Sequence, residues 1–286
     1  MTHPILDIDL LRVEYPSAAS TSVAVQGVSI TVQPGERVGL VGESGSGKST
    51  LAFATMGLLK APGVVTSGSI SVAGRVMTGL PDSEFASMRG SSVSMIYQDP
   101  FTFLNPLVRV GDQIGEVLQL HSKASRREAR VAAAVILDEL GLGPGAATAR
   151  KYPHQLSGGQ RQRVIIGMAL VGSPQLVIAD EPTTALDVTV QAQILRLLSR
   201  EIDVHKTALL LISHDLDVIR LMCDRVYVML KGEVVEQGPV DQIFSAPQHP
   251  YTQALLASSR RDTVREAAQR RVALMSAGAT EEGASL

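Results

Sequence analysis

Short apolar runs separated by glycine, proline and polar turns alternate along the chain with stretches whose apolar residues recur three and four apart. Ile5 to Val13 and Val23 to Val32 read as strands joined by the polar link Ser17 to Ser22. Pro34-Gly35-Glu36 turns the chain into a third strand, Val38-Gly39-Leu40-Val41, and a helix starting near Lys48 is expected to end near Pro62-Gly63. Gly68 to Gly74 alternates as a small antiparallel strand, and Ser91 to Tyr97 reads as a buried strand stopping at Gln98-Asp99-Pro100. Gly111 to Leu142 follows a helical pattern that stops at Gly141. Apolar strands are expected at Leu176 to Glu181, Ala208 to Ser213 and Arg225 to Leu230, with a helix over Val190 to Ile202. A strand at Glu233 to Glu236 follows Lys231-Gly232, and a helix runs from about Tyr251 to about Ser258.

Between the third strand and its helix lies Gly42-Glu43-Ser44-Gly45-Ser46-Gly47-Lys48-Ser49-Thr50, the strand, glycine-rich loop, helix order of a phosphate-binding loop. Its glycines let several backbone N–H groups turn inward on one anion, and the helix start adds its positive dipole end. Lys48 would reach the β- and γ-phosphates of a triphosphate, while the Ser49 hydroxyl would hold Mg²⁺. Leu176 to Asp180 and Glu181 form an apolar strand ending in two acids: Asp180 can meet the same Mg²⁺ and Glu181 can polarise a water. His214 ends another core strand on that sheet edge, where its imidazole could touch the γ-phosphate. A serine, Ser157, followed by Gly158, Gly159 and Gln160 opens the helix Arg161 to Leu170 and makes a second anion cradle. The fold class expected is α/β: a phosphate-loop core with an antiparallel β subdomain and a helical insert.

Composition narrows the function. With a net charge of -2 and no sustained Lys/Arg block, the 286-residue chain lacks the electrostatic footprint of a nucleic-acid binder, so no nucleic-acid partner is expected. The single cysteine, Cys223, excludes an internal disulfide and a cysteine-ligated cluster within one chain, and its helical spacing makes it a small buried hydrophobe. Met1 to Asp7 has no basic region followed by an apolar core, so no secretion signal is expected and the protein reads as intracellular. The longest apolar stretch, Val164 to Ile178, is broken at Gly172 to Gln175, short of the roughly 18 residues a spanning helix needs.

Taken together, these motifs resemble the ATP-binding subunits of ABC transporters over Leu6 to about Ser258, with Leu156-Ser-Gly-Gly-Gln160 as the most specific element. The resemblance implies a domain over 5–258, a helical insert at about 99–160 and a tail at 259–286, helix then loose. It implies Tyr15 as the adenine-stacking aromatic, though Tyr15 could also simply pack a strand edge, Gln98 as the Q-loop residue that also meets the metal, Ala185-Leu186-Asp187 as D-loop and His214 as switch histidine. It also implies that two such subunits pair so that Ser157, Gly158 and Gly159 of one close on the γ-phosphate held by Lys48 of the other. The partners implied are a second ATPase subunit, two transmembrane permease subunits docked through the Gln98 loop, where Phe101 and Phe103 are candidate contacts, and a substrate-binding protein. The setting implied is the cytoplasmic face of the cell membrane. Gln98 to Pro106, Asp187 to Gln193 and His249 to Leu256 are similar to the peptide and nickel importer branch. That makes di- or oligopeptide import the leading expectation, with nickel-chelate import and a soluble, non-transport ATPase as alternatives. Longer members carry a cysteine cluster in the C-terminal extension; this tail has none, so no iron–sulfur cluster is expected and the oligopeptide assignment is weakened.

Overall fold

The structure, a computed structural model, describes residues 3–259 apart from residues 19, 123 and 185; the expected tail helix beyond 259 and Ala185 of the D-loop lie outside them. In chain order it runs β1 (Leu6–Pro16), β2 (Thr21–Val32), β3 (Arg37–Val41), α1 (Lys48–Thr55), β4 (Val64–Val72), β5 (Arg75–Val76), α2 (Asp82–Met88) and β6 (Val93–Ile96). There follow α3 (Pro100–Phe103), α4 (Val110–His121), α5 (Arg126–Glu139), α6 (Gly145–Thr148) and α7 (Gly158–Leu170). The chain then returns to the sheet with β7 (Leu176–Asp180), α8 (Val188–His205), β8 (Ala208–Ile212), α9 (Leu216–Met222), β9 (Arg225–Leu230), β10 (Glu233–Pro239) and α10 (Val240–Ser245), before a last helical stretch at 250–259.

Two sheets result. β2-β1-β4-β5 is antiparallel, with Leu6 opposite Val32 and Ile8 between Ile30 and Ile70. The six-stranded sheet runs β10-β9-β3-β8-β7-β6, parallel from β9 to β6 with β10 as an antiparallel edge. β7 and β8 are buried at every position, the mark of parallel strands covered on both faces. Their side chains alternate accordingly. Val177, Ala179, Leu209 and Leu211 join the core shared with α4, α5, α7, α8 and α9, whereas Leu176, Ile178, Leu210 and Ile212 join the core under α1 and the antiparallel sheet. Arg225 ties the sheets across this second core, its guanidinium donating to Glu36 at 2.8 Å, the Thr31 carbonyl at 2.7 Å and the Tyr227 hydroxyl at 2.7 Å.

Two expected helices end earlier than their periodicity suggests. α1 stops at Thr55 because Gly57 takes φ 64, and a Cβ there would lie 2.6 Å from the Phe85 ring. The expected continuous helix over 111–142 is two helices: α4 stops at extended Ser122, and α5 starts afresh from a capping box between Ser125 and Glu128. Lys231-Gly232, at φ 49 and 86, forms the two-residue hairpin turn between β9 and β10. Cys223 follows α9 partly buried against the helical core, and the desolvation of its thiol pushes the pKa up. Among the described residues no helix is long and apolar enough to cross a membrane.

Because β8 serves both cores, Leu209→Ala and Leu210→Ala should each cost about 2–5 kcal/mol although their side chains point to opposite faces. Denaturant unfolding of the two variants checks this, and a near-neutral result for either would show that its core closes around the gap.

Candidate active site

The site assembles at the carboxyl edge of the parallel sheet, where β3, β7 and β8 end side by side. After Val41 the chain makes a turn that only glycine allows at two points. Gly42 sits at φ 152 and Gly47 at φ 102, and a Cβ on either would collide with a backbone carbonyl, that of Met229 or Ala24 respectively. The neighbouring hairpin braces the loop further, Gly232 N–H donating to the Ser46 carbonyl at 3.0 Å.

Lys48 opens α1 almost fully buried and folds back over the loop that precedes it. Its ammonium donates to the carbonyls of Gly42 at 2.8 Å and Glu43 at 2.9 Å and to the Ser46 hydroxyl at 3.3 Å. Burial lowers its pKa below the ordinary lysine value, against the opposing pull of the Glu181 and Asp180 charges. Ser49 Oγ donates to Asp180 Oδ1 at 3.2 Å, and burial raises the Asp180 carboxyl despite that bond. A hydroxyl and a desolvated carboxylate sharing one point are hard oxygen donors of the type that suits Mg²⁺.

Glu181 follows β7 at φ 48, a left-handed conformation unfavourable for a residue with a Cβ by on the order of 1–3 kcal/mol. Its surroundings hold it there. The backbone N–H donates to the Ile212 carbonyl at 2.9 Å; Gln98 Nε2 and Thr184 Oγ1 each donate to Oε2 at 2.9 Å; His214 Nδ1 lies 3.0 Å from Oε1. Three side chains from three loops thus converge on one carboxylate. Thr184 is the member sequence reasoning missed; its signal was the second threonine of Pro182-Thr183-Thr184, directly after the acidic pair.

These groups line a cavity of about 530 Å³ that holds Ser44, Gly45, Gly47, Lys48, Ser49, Thr50, Gln98, Glu181, Thr184 and His214, together with Ala24. A larger groove, about 680 Å³, lies over α4, α5 and α6 beside Arg109, Arg130 and Arg150, away from every phosphate-binding backbone group. Tyr15 is not part of the cavity lining: its ring lies over Gly63, where a Cβ would come within 2.6 Å of it. Ser157 and Gln160 are occupied with each other, forming a capping box at the start of α7 with Gln160 N–H on Ser157 Oγ at 3.3 Å and Ser157 N–H on Gln160 Oε1 at 3.0 Å. Gly159 faces α8, a Cβ there lying 2.5 Å from Val190, and Asp187 caps α8 by accepting Val190 N–H at 3.0 Å. Phe103 stacks on Tyr97 with ring centres 3.4 Å apart; the Phe101 side chain lies outside the described part of the structure.

A glycine loop closed on a buried lysine, a serine paired with a buried aspartate, and a multiply held glutamate at one sheet edge define a phosphate-loop nucleotide hydrolase. Residues 25–184 match the ABC transporter family and residues 235–281 match the oligopeptide/dipeptide transporter C-terminal region. The chain is 49% identical over 258 residues to the peptidoglycan transport ATP-binding protein YejF of Agrobacterium fabrum, covering 90% of this chain but 47% of that protein. It is 46% identical over 252 residues to the oligopeptide transport ATP-binding protein OppD of Salmonella typhimurium, covering 88% and 75%. A solved ATP-binding cassette, dimeric in a post-hydrolysis state with ADP and Pi, superposes with a TM-score of 0.74 at 28% identity over 82% of this chain and 98% of its own. The chain belongs to the ABC transporter family and is an ATP hydrolase of that family. The match at 235–281 corrects the weight placed on the missing cysteines: a tail without them still falls within the oligopeptide/dipeptide region.

Thr184→Val keeps the shape of the residue but removes one of three donors that hold Glu181, so kcat for ATP should fall about 3- to 10-fold with KM within about twofold. A steady-state ATPase titration decides it; unchanged kcat would make Thr184 a turn residue only.

Proposed function

We propose that this chain powers the import of di- and oligopeptides, hydrolysing ATP as one half of a dimer seated with two permease subunits on the cytoplasmic face of the membrane. The observation that carries this reading is the joining, in one chain, of the Lys48–Glu181 site to a region that matches oligopeptide/dipeptide transporters. On this reading the ATP-binding domain spans 5–258 with its helical insert at about 99–160, and the adenine stacks on Tyr15. Ser49, Asp180 and Gln98 would hold Mg²⁺, which when bound neutralises charge on the phosphate oxygens.

The chain's own groups account for the remaining steps. Lys48 exchanges the Gly42 and Glu43 carbonyls for the triphosphate, recovering with phosphate oxygens the partners that its buried charge requires. Gln98 and His214 are the two side chains able to leave Glu181, because each stands on a loop that nucleotide and a permease would move. Once either is exchanged for a water, the carboxylate is positioned to orient it or accept its proton. Ser157, Gly158 and Gly159 serve the triphosphate of the second subunit, so that ATP joins the two cassettes and hydrolysis parts them. The nickel-chelate alternative shares all of this machinery and differs only in the solute.

Glu181→Gln should bind ATP, lose turnover by about 100-fold or more and accumulate as a closed dimer on ATP addition. ATPase assay with size-exclusion chromatography checks this, and near wild-type turnover would remove Glu181 from the chemistry. For the solute, the chain co-reconstituted with the permeases that copurify with it should accumulate labelled tri- to hexapeptides in an ATP-dependent manner. Uptake of a nickel chelate without peptide uptake would overturn the peptide reading.

A further inference from the structure

We propose that Tyr251 is a positioning residue for the phosphate loop, holding the peptide unit between Gly42 and Glu43 from the C-terminal side of the protein. The Glu43 N–H donates to Tyr251 Oη at 2.9 Å, a bond between residues 208 apart in sequence. The carbonyl of that same peptide unit is the Gly42 oxygen that accepts the Lys48 ammonium at 2.8 Å. One peptide plane is therefore held at both ends, by Tyr251 on its N–H and by Lys48 on its oxygen. Gly42 lacks the Cβ that would otherwise limit rotation of this unit, so its orientation depends on these outside partners.

Tyr251 is itself firmly seated. Its ring packs on the helical core, as does Leu256 one turn on. Its N–H donates to His249 Nδ1 at 3.2 Å, and the N–H groups of Gln248 and His249 donate to the Glu236 carboxylate of β10 at 2.7 and 3.1 Å. Burial pushes the phenol pKa up, against the Glu43 N–H bond, so its oxygen meets that N–H as a neutral hydroxyl. Packing alone would be served by phenylalanine; the hydroxyl is what reaches the loop. When ATP takes Lys48 away from the Gly42 carbonyl, Tyr251 is the partner that remains, and it keeps the peptide from turning an oxygen toward the phosphates. This rests on the reading of the loop as the ATP site, and it makes the 235–281 region a direct support of that site rather than an appendage.

The test uses the full chain with Tyr251→Phe, comparing ATP KM, kcat, thermal midpoint and hydrogen exchange at the Glu43 amide. The expected result is a KM raised about 2- to 10-fold, the weight of one neutral hydrogen bond, with kcat within twofold, an unchanged midpoint and faster Glu43 exchange. Unchanged KM and Glu43 exchange would overturn the proposal, as would a lowered midpoint with Glu43 exchange unaltered. Should Tyr251→Phe not fold, Glu236→Gln loosens the same anchor and is held to the same readouts. A wild-type chain that bound no ATP would sink the ATP reading, whereas the exchange comparison at Glu43 decides the Tyr251 contact by itself.

Discussion

A positive charge with little water around it sits at the centre of this protein. The Lys48 ammonium is desolvated, and a buried charge of that kind costs several kcal/mol unless it is surrounded by acceptors. The loop supplies them from its own backbone, curling until two successive carbonyls and a hydroxyl meet the nitrogen. That curl is possible only because Gly42 and Gly47 have no side chain to strike Met229 and Ala24, which belong to two different sheets. The antiparallel sheet, the β9–β10 hairpin and the lysine therefore determine one another. On the proposed reading triphosphate would enter by substitution, offering anionic oxygens where the free loop uses neutral carbonyls, so that a loop closed on itself is still suited to an anion.

The glutamate at the end of β7 presents the opposite arrangement. An anion there is held in a strained backbone conformation by donors from the Gln98 loop, the Thr184 turn and the end of β8. Each donor stabilises the carboxylate and each also occupies a lone pair that a water would need. On the proposed catalytic role of Glu181, competence would depend on removing one of these favourable contacts, and the side chain removed would report which loop had moved. Asp215 extends the arrangement beyond the site: it caps α9 and accepts from Gln191 of α8 at 3.2 Å, linking the residue next to His214 with the helix that Asp187 begins.

Much of this was legible in the sequence because its signals are local. The apolar runs at 176–179 and 208–212 announce buried parallel strands, and Lys231-Gly232 between the strand patterns at 225–230 and 233–236 announces its hairpin. The loop from Gly42 to Thr50 stands out by its spacing, the acids at 180 and 181 gain their meaning only beside it, and the fold brings the two together at one sheet edge. What escaped was decided by partners distant in sequence. The end of α1 is set by Phe85 pressing on Gly57, and the break between α4 and α5 lies in a Ser125–Glu128 capping box inside an unbroken helical pattern. Thr184 became a site residue only once Gln98 and His214 arrived around Glu181. Tyr251 lies 208 residues from its partner, and nothing in its own neighbourhood names Glu43.

The start of α7 is a structural motif whose geometry is also compatible with the anion role proposed for it. A helix begins with four N–H groups that its own turns do not satisfy. Here Ser157 N–H is taken by the Gln160 side-chain oxygen at 3.0 Å, and Gln160 N–H by the Ser157 hydroxyl at 3.3 Å. The capping box therefore satisfies the N–H groups of Ser157 and Gln160, leaves the Ser157 hydroxyl its own proton to donate, and leaves the N–H groups of Gly158 and Gly159 outside the box. Both belong to glycines, so neither has a side chain of its own to cover it; Gly159 packs against Val190, while Gly158 has only Leu186 within reach of a would-be Cβ, at 3.7 Å. On the dimeric reading this division is what a shared site requires: the helix start is stable before a partner arrives, and two bare amides on its dipole end wait for a γ-phosphate that the chain's own Lys48 does not bring to them.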